Sequence, residues 1–133
     1  MPKKKKPEAL LYKPHYGKPV KMNLQVLSYD NNASLYVGLV RYWGGEEYCD
    51  ITVNVSGSGL LPPYCACVKN YAENEGIERF IVENGLAKPT GQTIRSGFVT
   101  IPVYQFDKER LAALSVNGVV VYEERLGTKK GVL

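Results

Sequence analysis

Three cysteines, one histidine and thirteen carboxylates are the groups of this 133-residue chain that could do nucleophilic, metal or acid–base chemistry. Cys65 and Cys67 stand two apart in CAC, closer than the C-x2–4-C spacing that lets two thiolates hold one tetrahedral zinc ion. Cys49 and His15 are all that remains to complete such a site, and His15 falls in a start rich in lysine and proline. A cysteine nucleophile needs a neighbouring base, and His15 is again the sole imidazole. Glu46, Glu47 and Asp50 are close enough to pair, yet beside a Gly-Gly turn they read as solvated charge. The glycines of SGSG (Ser56–Gly59) and GLAKPTGQT (Gly85–Thr93) lack the G-K-[ST] ending that sets a lysine and a hydroxyl on phosphate and magnesium. The expectation is a protein without catalytic residues, metal or cofactor, with an enzyme using Cys65 or Cys67 as a minor alternative.

Charge is segregated along the chain. Residues 1–21 hold seven lysines against Glu8, a net +6; residues 22–122 are net −3, and the last eleven residues net +1. Residues 1–19 also carry four prolines and no sustained periodicity, so they are expected to form a flexible basic arm, with residues 20–133 as one folded domain. Its PKKKK looks like a nuclear import signal, although a solvated tail is the plainer reading. Lys3, Lys4, Lys5, Lys6, Lys13 and Lys18 are candidate phosphate contacts. No apolar run approaches the roughly 18 residues that a spanning helix needs. The charged start has no apolar stretch behind it as a secretory signal would, and three cysteines make no complete disulfide set. A cytoplasmic protein with no membrane partner is expected.

The elements that must position any site are mostly strands. From Val20 the alternation of Leu24 and Val26 reads as β, YDNN (Tyr29–Asn32) as a turn, and Ser34–Trp43 as a second strand with Leu35, Val37 and Leu39 on one face and Tyr36, Val40 and Tyr42 on the other. Gly44-Gly45 suits a tight hairpin, and Glu47–Val55 returns as a third strand with Cys49, Ile51, Val53 and Val55 inward. Ser56–Pro63 reads as a loop. A helix follows, capped at Asn70, with Ile77, Phe80 and Ile81 on one side and Gly85 at its end. Gly85–Gly97 reads as a long loop leading to a strand over Phe98–Phe106, apolar on both faces and interrupted by Pro102, hence at an edge or bulged. Asp107 caps a short helix to Leu114, and Val119–Tyr122 reads as a final strand. The fold class is α+β: an antiparallel sheet of a three-stranded meander plus one or two further strands, packed with one main and one short helix.

Tyr36, Tyr42, Trp43, Asn54 and Tyr104, with Arg95, are the candidate protein-binding residues, because tyrosine, tryptophan and arginine anchor interfaces. The run CDITVNV, the loop to Pro62-Pro63, and YAENEG with IVENGLAKPTGQTIRSGFVTIPVYQF resemble a family of small bacterial proteins of unknown function. That family is carried on conjugative elements, plasmids and phages of Gram-positive gut bacteria. The likeness covers about residues 22–115 and is most specific in PTGQTIRSGFVTIPVYQF; MPKKKKPE and the end beyond Leu114 look like additions. The resemblance implies no catalytic residues. Its setting implies a non-enzymatic protein that binds and inhibits a host or element-encoded protein, such as a nuclease of a restriction or CRISPR system. The alternative is an accessory protein that binds nucleic acid through the lysine arm.

Overall fold

A computed structural model describes residues 8–13, 17–55 and 57–131. Strands β1 (Leu10–Tyr12), β2 (Val20–Ser28), β3 (Leu35–Arg41) and β4 (Glu47–Asp50) make one antiparallel sheet in the order β1-β2-β3-β4. Strands β5 (Thr52–Val53), β6 (Cys65–Val68), β7 (Ala87–Ser96) and β8 (Val99–Phe106) make a second, ordered β5-β6-β8-β7. Helices α1 (Ile77–Glu83), α2 (Lys108–Leu114) and α3 (Val116–Gly131) complete the described elements. The α+β class stands, but the single sheet and two helices expected from the sequence become two sheets and three helices.

The split between sheets occurs inside one run of sequence. Glu47–Val55 reads as unbroken alternation, yet fully buried Ile51 is a junction. Its N–H donates to Val37 C=O in the first sheet (2.9 Å), and its C=O accepts from Lys69 N–H next to the second (2.8 Å). Alternation alone does not reveal such a change of partner: Cys49 and Ile51 pack in the main core, Val53 and Val55 pack against a separate small cluster, and Thr52 between them is buried as well. The main core lies among both sheets and the helices, with Leu24, Val37 and Leu39 from the first, Val68 and Phe106 from the second, and Ile77, Leu111 and Val119 from the helices.

Four expectations along the chain are corrected. The arm is not loose throughout: Leu10 and Tyr12 are buried, and β1 pairs with Val20–Met22. Three alternating residues between proline-flanked lysines are too few for periodicity to register. Lys3–Lys6 and His15 lie outside the described residues, while Lys13 and Lys18 are exposed. The long loop before β8 is mostly strand β7, whose side chains from Lys88 to Thr93 are all exposed, so it shows no apolar alternation. Its order comes from pairing with β8, interrupted by a register shift between Pro89 and Thr93. Helix α1 begins after Gly76, whose φ is 88°, and Asn70 does not cap it; the Asn70 amide donates to Glu78 instead (3.0 Å).

The fourth correction is the final segment, helical where valines at 119–121 suggested a strand. β-branched residues favour strands only weakly, and tertiary packing decides. Val119 and Tyr122 are buried in the core with Leu126 packed against it, at helical spacing. Gly118 makes this packing possible: a Cβ there would stand 1.9 Å from Val26 O. The Val26 N–H donates to Ser115 Oγ at the α2–α3 junction (3.3 Å), so the edge of β2 beyond β1 is covered.

Two helix signals do appear as read. Leu86 N–H closes back on Ile81 C=O (2.9 Å) with Gly85 at φ 67°, and Asp107 Oδ1 accepts from Arg110 N–H (2.9 Å). Strand β8 is covered on both faces in its second half. Ile101 and Val103 join Cys67 in a small cluster, while Tyr104 and Phe106 enter the main core. Its ladder with β6 involves just Val103–Gln105, so Pro102 sits where β7 is the one neighbouring strand.

Candidate protein-binding surface

The turn between β3 and β4 gathers the chain's one tryptophan with arginine and tyrosine. Gly44 and Gly45, at φ 91° and 73°, reverse the chain so that Arg41 N–H donates to Glu46 C=O (2.8 Å) and Gly45 N–H to Arg41 C=O (3.1 Å). On the return strand, Cys49 pairs with Leu39 and Glu47 with Val40, so Tyr48 is an extra residue in a bulge. Bulges re-aim side chains. Here Tyr48 packs edge-on against Tyr12 (5.6 Å between centroids), and Tyr12 packs edge-on against core Phe80 (5.3 Å). The Arg41 guanidinium lies over the Tyr48 ring at 5.6 Å. Tyr42 meets Trp43 edge to face at 5.0 Å, and Tyr42 N–H donates to Lys21 C=O on β2 (3.2 Å). Trp43 remains 68% exposed and Tyr48 37%. Tyr48 is thus rooted in the core through Tyr12 and Phe80, and the exposed Trp43 ring rests on Tyr42 of the same turn.

The other sequence candidates fall elsewhere. Tyr36 is on the outer face of β3, its ring lying over Gly38 and its hydroxyl donating to Asp50 Oδ1 (2.6 Å). Burial first, and then that hydrogen bond, push its pKa above the usual tyrosine value. Asn54 donates to Asn31 (2.8 Å) and accepts from Asn32 (3.0 Å), so it ties the β2–β3 turn to the end of β5. Tyr104 is the clear correction: it is 4% exposed, and its hydroxyl donates to Glu78 Oε1 (2.5 Å). Burial and this bond push its pKa up to about 12. Tyr104 is a core residue whose hydroxyl finds a carboxylate, which the sequence pattern could not distinguish from an exposed ring. Arg95 is exposed on β7 and donates to Gly97 C=O (3.4 Å).

Sequence reasoning missed Arg41 and Tyr48. The signal was present as RYWGGEEY, an arginine and three aromatic residues around a glycine pair. Also missed was Tyr64, which holds a left-handed backbone (φ 66°) after Pro62-Pro63. Its N–H donates to Tyr122 Oη (3.0 Å), its C=O accepts from Phe106 N–H (2.7 Å), and its hydroxyl donates to Glu123 (2.7 Å). Glu123 also meets Lys108 (2.9 Å), and these two hydrogen-bond partners lower its pKa. Tyr64 flanks an open groove of about 640 Å³ that Lys88, Gln105 and Phe106 also line.

Cys49 and Cys65 are half-buried, and Cys67 is buried with the Ser58 hydroxyl 3.8 Å from its sulfur. Among the described residues no group of three or more His, Cys, Asp or Glu side chains is placed to hold a metal ion, and no helix is long and apolar enough to cross a membrane.

A family model, DUF4313, a domain of unknown function, matches residues 23–126. The chain belongs to that family. The match runs past Leu114 through most of α3, so this helix is part of the family domain, whereas β1 and the lysine run precede it. Neither a curated protein nor a solved structure matches the chain.

Proposed function

We propose that this member of DUF4313 is a non-enzymatic binding protein that occupies a surface of a protein partner through the β3–β4 turn. The observation that carries the reading is Trp43, 68% exposed beside Tyr42, with Arg41 stacked on Tyr48. Tryptophan, tyrosine and arginine dominate interface energetics, and rings already ordered by packing lose little freedom on binding. Glu46 and Glu47 flank the cluster, and Arg41 reaches Glu46 at 3.9 Å in water, too exposed to stabilise the fold much. They form an acidic rim that suits a partner with a basic edge. A nuclease that guards against invading DNA has a basic groove of this kind. Inhibition of such an enzyme is the specific form of the proposal.

Purification of the tagged full chain from its source cell, followed by titration of the recovered protein, tests this. The expected result is one stoichiometric partner whose affinity falls at least tenfold in W43A, with the unfolding midpoint unchanged. Equal affinity in W43A, or recovery of no partner, would refute it. The lysine-arm alternative predicts salt-sensitive oligonucleotide binding that disappears when Lys3–Lys6 become glutamine. Deleting residues 1–19 is not a clean test, because Leu10 and Tyr12 are core residues.

A further inference from the structure

Exposure alone does not mark the β3–β4 turn, since Phe98, at the turn of the β7–β8 ribbon, is fully exposed (103%). What distinguishes it is a stack of groups that runs from water to the core. The Arg41 guanidinium lies over Tyr48, Tyr48 packs edge-on against Tyr12, and Tyr12 packs edge-on against Phe80. Arg41 and Tyr48 are exposed, whereas Tyr12 and Phe80 are buried.

Tyr12 is the member of this stack that comes from farthest away in the sheet. β1 and β4 are the two edges of the first sheet, with β2 and β3 between them. Three strand spacings put their backbones roughly 14 Å apart. Rings with centroids 5.6 Å apart therefore meet across the intervening strands, which the bulge at Tyr48 allows. β1 is held firmly in place. Leu10 and Tyr12 are buried, its residues pair with Val20–Met22, and Glu8 just before it pairs with Arg110, which also donates to Asn84 C=O (3.0 Å). All of β1 nevertheless lies outside residues 23–126, which match the family.

We infer that β1 is a working part of the β3–β4 contact and that Tyr12 is its positioning residue, an inference that rests on the reading of that turn as the partner contact. Being buried, Tyr12 does not meet a partner itself. It acts through Tyr48, whose ring in turn seats Arg41. Side chains ordered before contact lose less freedom on binding, and seating Tyr48 and Arg41 in advance raises affinity about three- to tenfold. The residues that match the family include Arg41 and Tyr48 but not the ring beneath them. This chain supplies that seat from its own N-terminal strand.

The test uses the full chain with the variants Y12L, Y12F, Y48L and Y12L/Y48L, and W43A to check the reading on which the inference rests. Y12L keeps an apolar side chain in the buried place without the ring, and Y12F keeps the ring. Y12M replaces Y12L should the unfolding midpoint of Y12L fall near the assay temperature. In the isolated chain, hydrogen–deuterium exchange across residues 41–48 should quicken about threefold or more in Y12L and stay unchanged in Y12F. Affinity for the recovered partner should fall about three- to tenfold in Y12L and hold in Y12F. Once Tyr48 is already leucine, Y12L should cost nothing further. A merely structural Tyr12 would lower affinity by the same factor in both backgrounds. That outcome, unchanged exchange in Y12L, or full affinity in Y12L while W43A weakens binding would each overturn the inference and leave the reading standing. Full affinity in W43A, or recovery of no partner, would instead refute the reading and the inference with it.

Discussion

The β3–β4 turn and the β7–β8 ribbon both hold an aromatic ring in water, but they do so in different company. Trp43 meets Tyr42 edge to face on a turn that also carries Arg41 over Tyr48 and the carboxylates Glu46 and Glu47, whereas the turn of Phe98 carries Arg95, Ser96 and Gly97. The first turn is rooted in the main core where Tyr48 packs on Tyr12 and Tyr12 on Phe80; the second ring stands clear of the small cluster that its neighbour Val99 packs against. Exposure of an apolar side chain is therefore not a functional statement by itself. What surrounds it decides which surface it can meet.

The largest expected effect strikes both ends at once and marks what they share. Gly118→Val would drive a side chain into Val26 O, forcing α3 off the edge of β2. A loss of about 3 kcal/mol or more is expected in urea unfolding, with both regions losing protection from exchange together.

Tyr104→Phe comes next. It removes the bond to Glu78 that joins β8 to α1, and should cost about 2 kcal/mol while leaving the β3–β4 turn intact. Because folding raises the Tyr104 pKa to about 12, its contribution is complete below about pH 10 and is lost as pH rises toward 12. The urea midpoint of the unaltered chain should fall over that window, less steeply in Y104F.

Asn54→Ala should cost about 1 kcal/mol by loosening the β2–β3 turn, with no effect on partner affinity. Smallest of all, W43A and F98S should each change stability by less than about 0.5 kcal/mol, since both side chains are largely in water. A larger loss in either would make that ring a structural residue and dissolve the contrast between the two ends.

How far the sequence foretold this arrangement depends on the length of each pattern. β2 and β3 were legible because Met22, Leu24 and Val26 alternate against Leu35, Val37 and Leu39 over whole strands. The Asp107 cap and the Gly85 stop were legible because those residue types have local roles. Strands β1 and β7 were not: one is three residues long, and the other is ordered by its partner rather than by an apolar face of its own. Helix α3 was misread because its three successive valines spoke louder than the spacing of Val119, Tyr122 and Leu126. Of the candidate contacts, Tyr42 and Trp43 share the exposed turn. Tyr104 was lost to the core, Tyr36 and Asn54 to hydrogen-bonded ties, because sequence shows a ring's type but not which face closes over it.

The central claim, that the β3–β4 turn meets a protein partner, is tested most directly by hydrogen–deuterium exchange of the chain alone and in complex with the protein it recovers. Slowed exchange across residues 41–48, with residues 93–100 unchanged, is the predicted result. Protection confined to the β7–β8 ribbon, with the tryptophan turn exchanging as in the isolated chain, would contradict it.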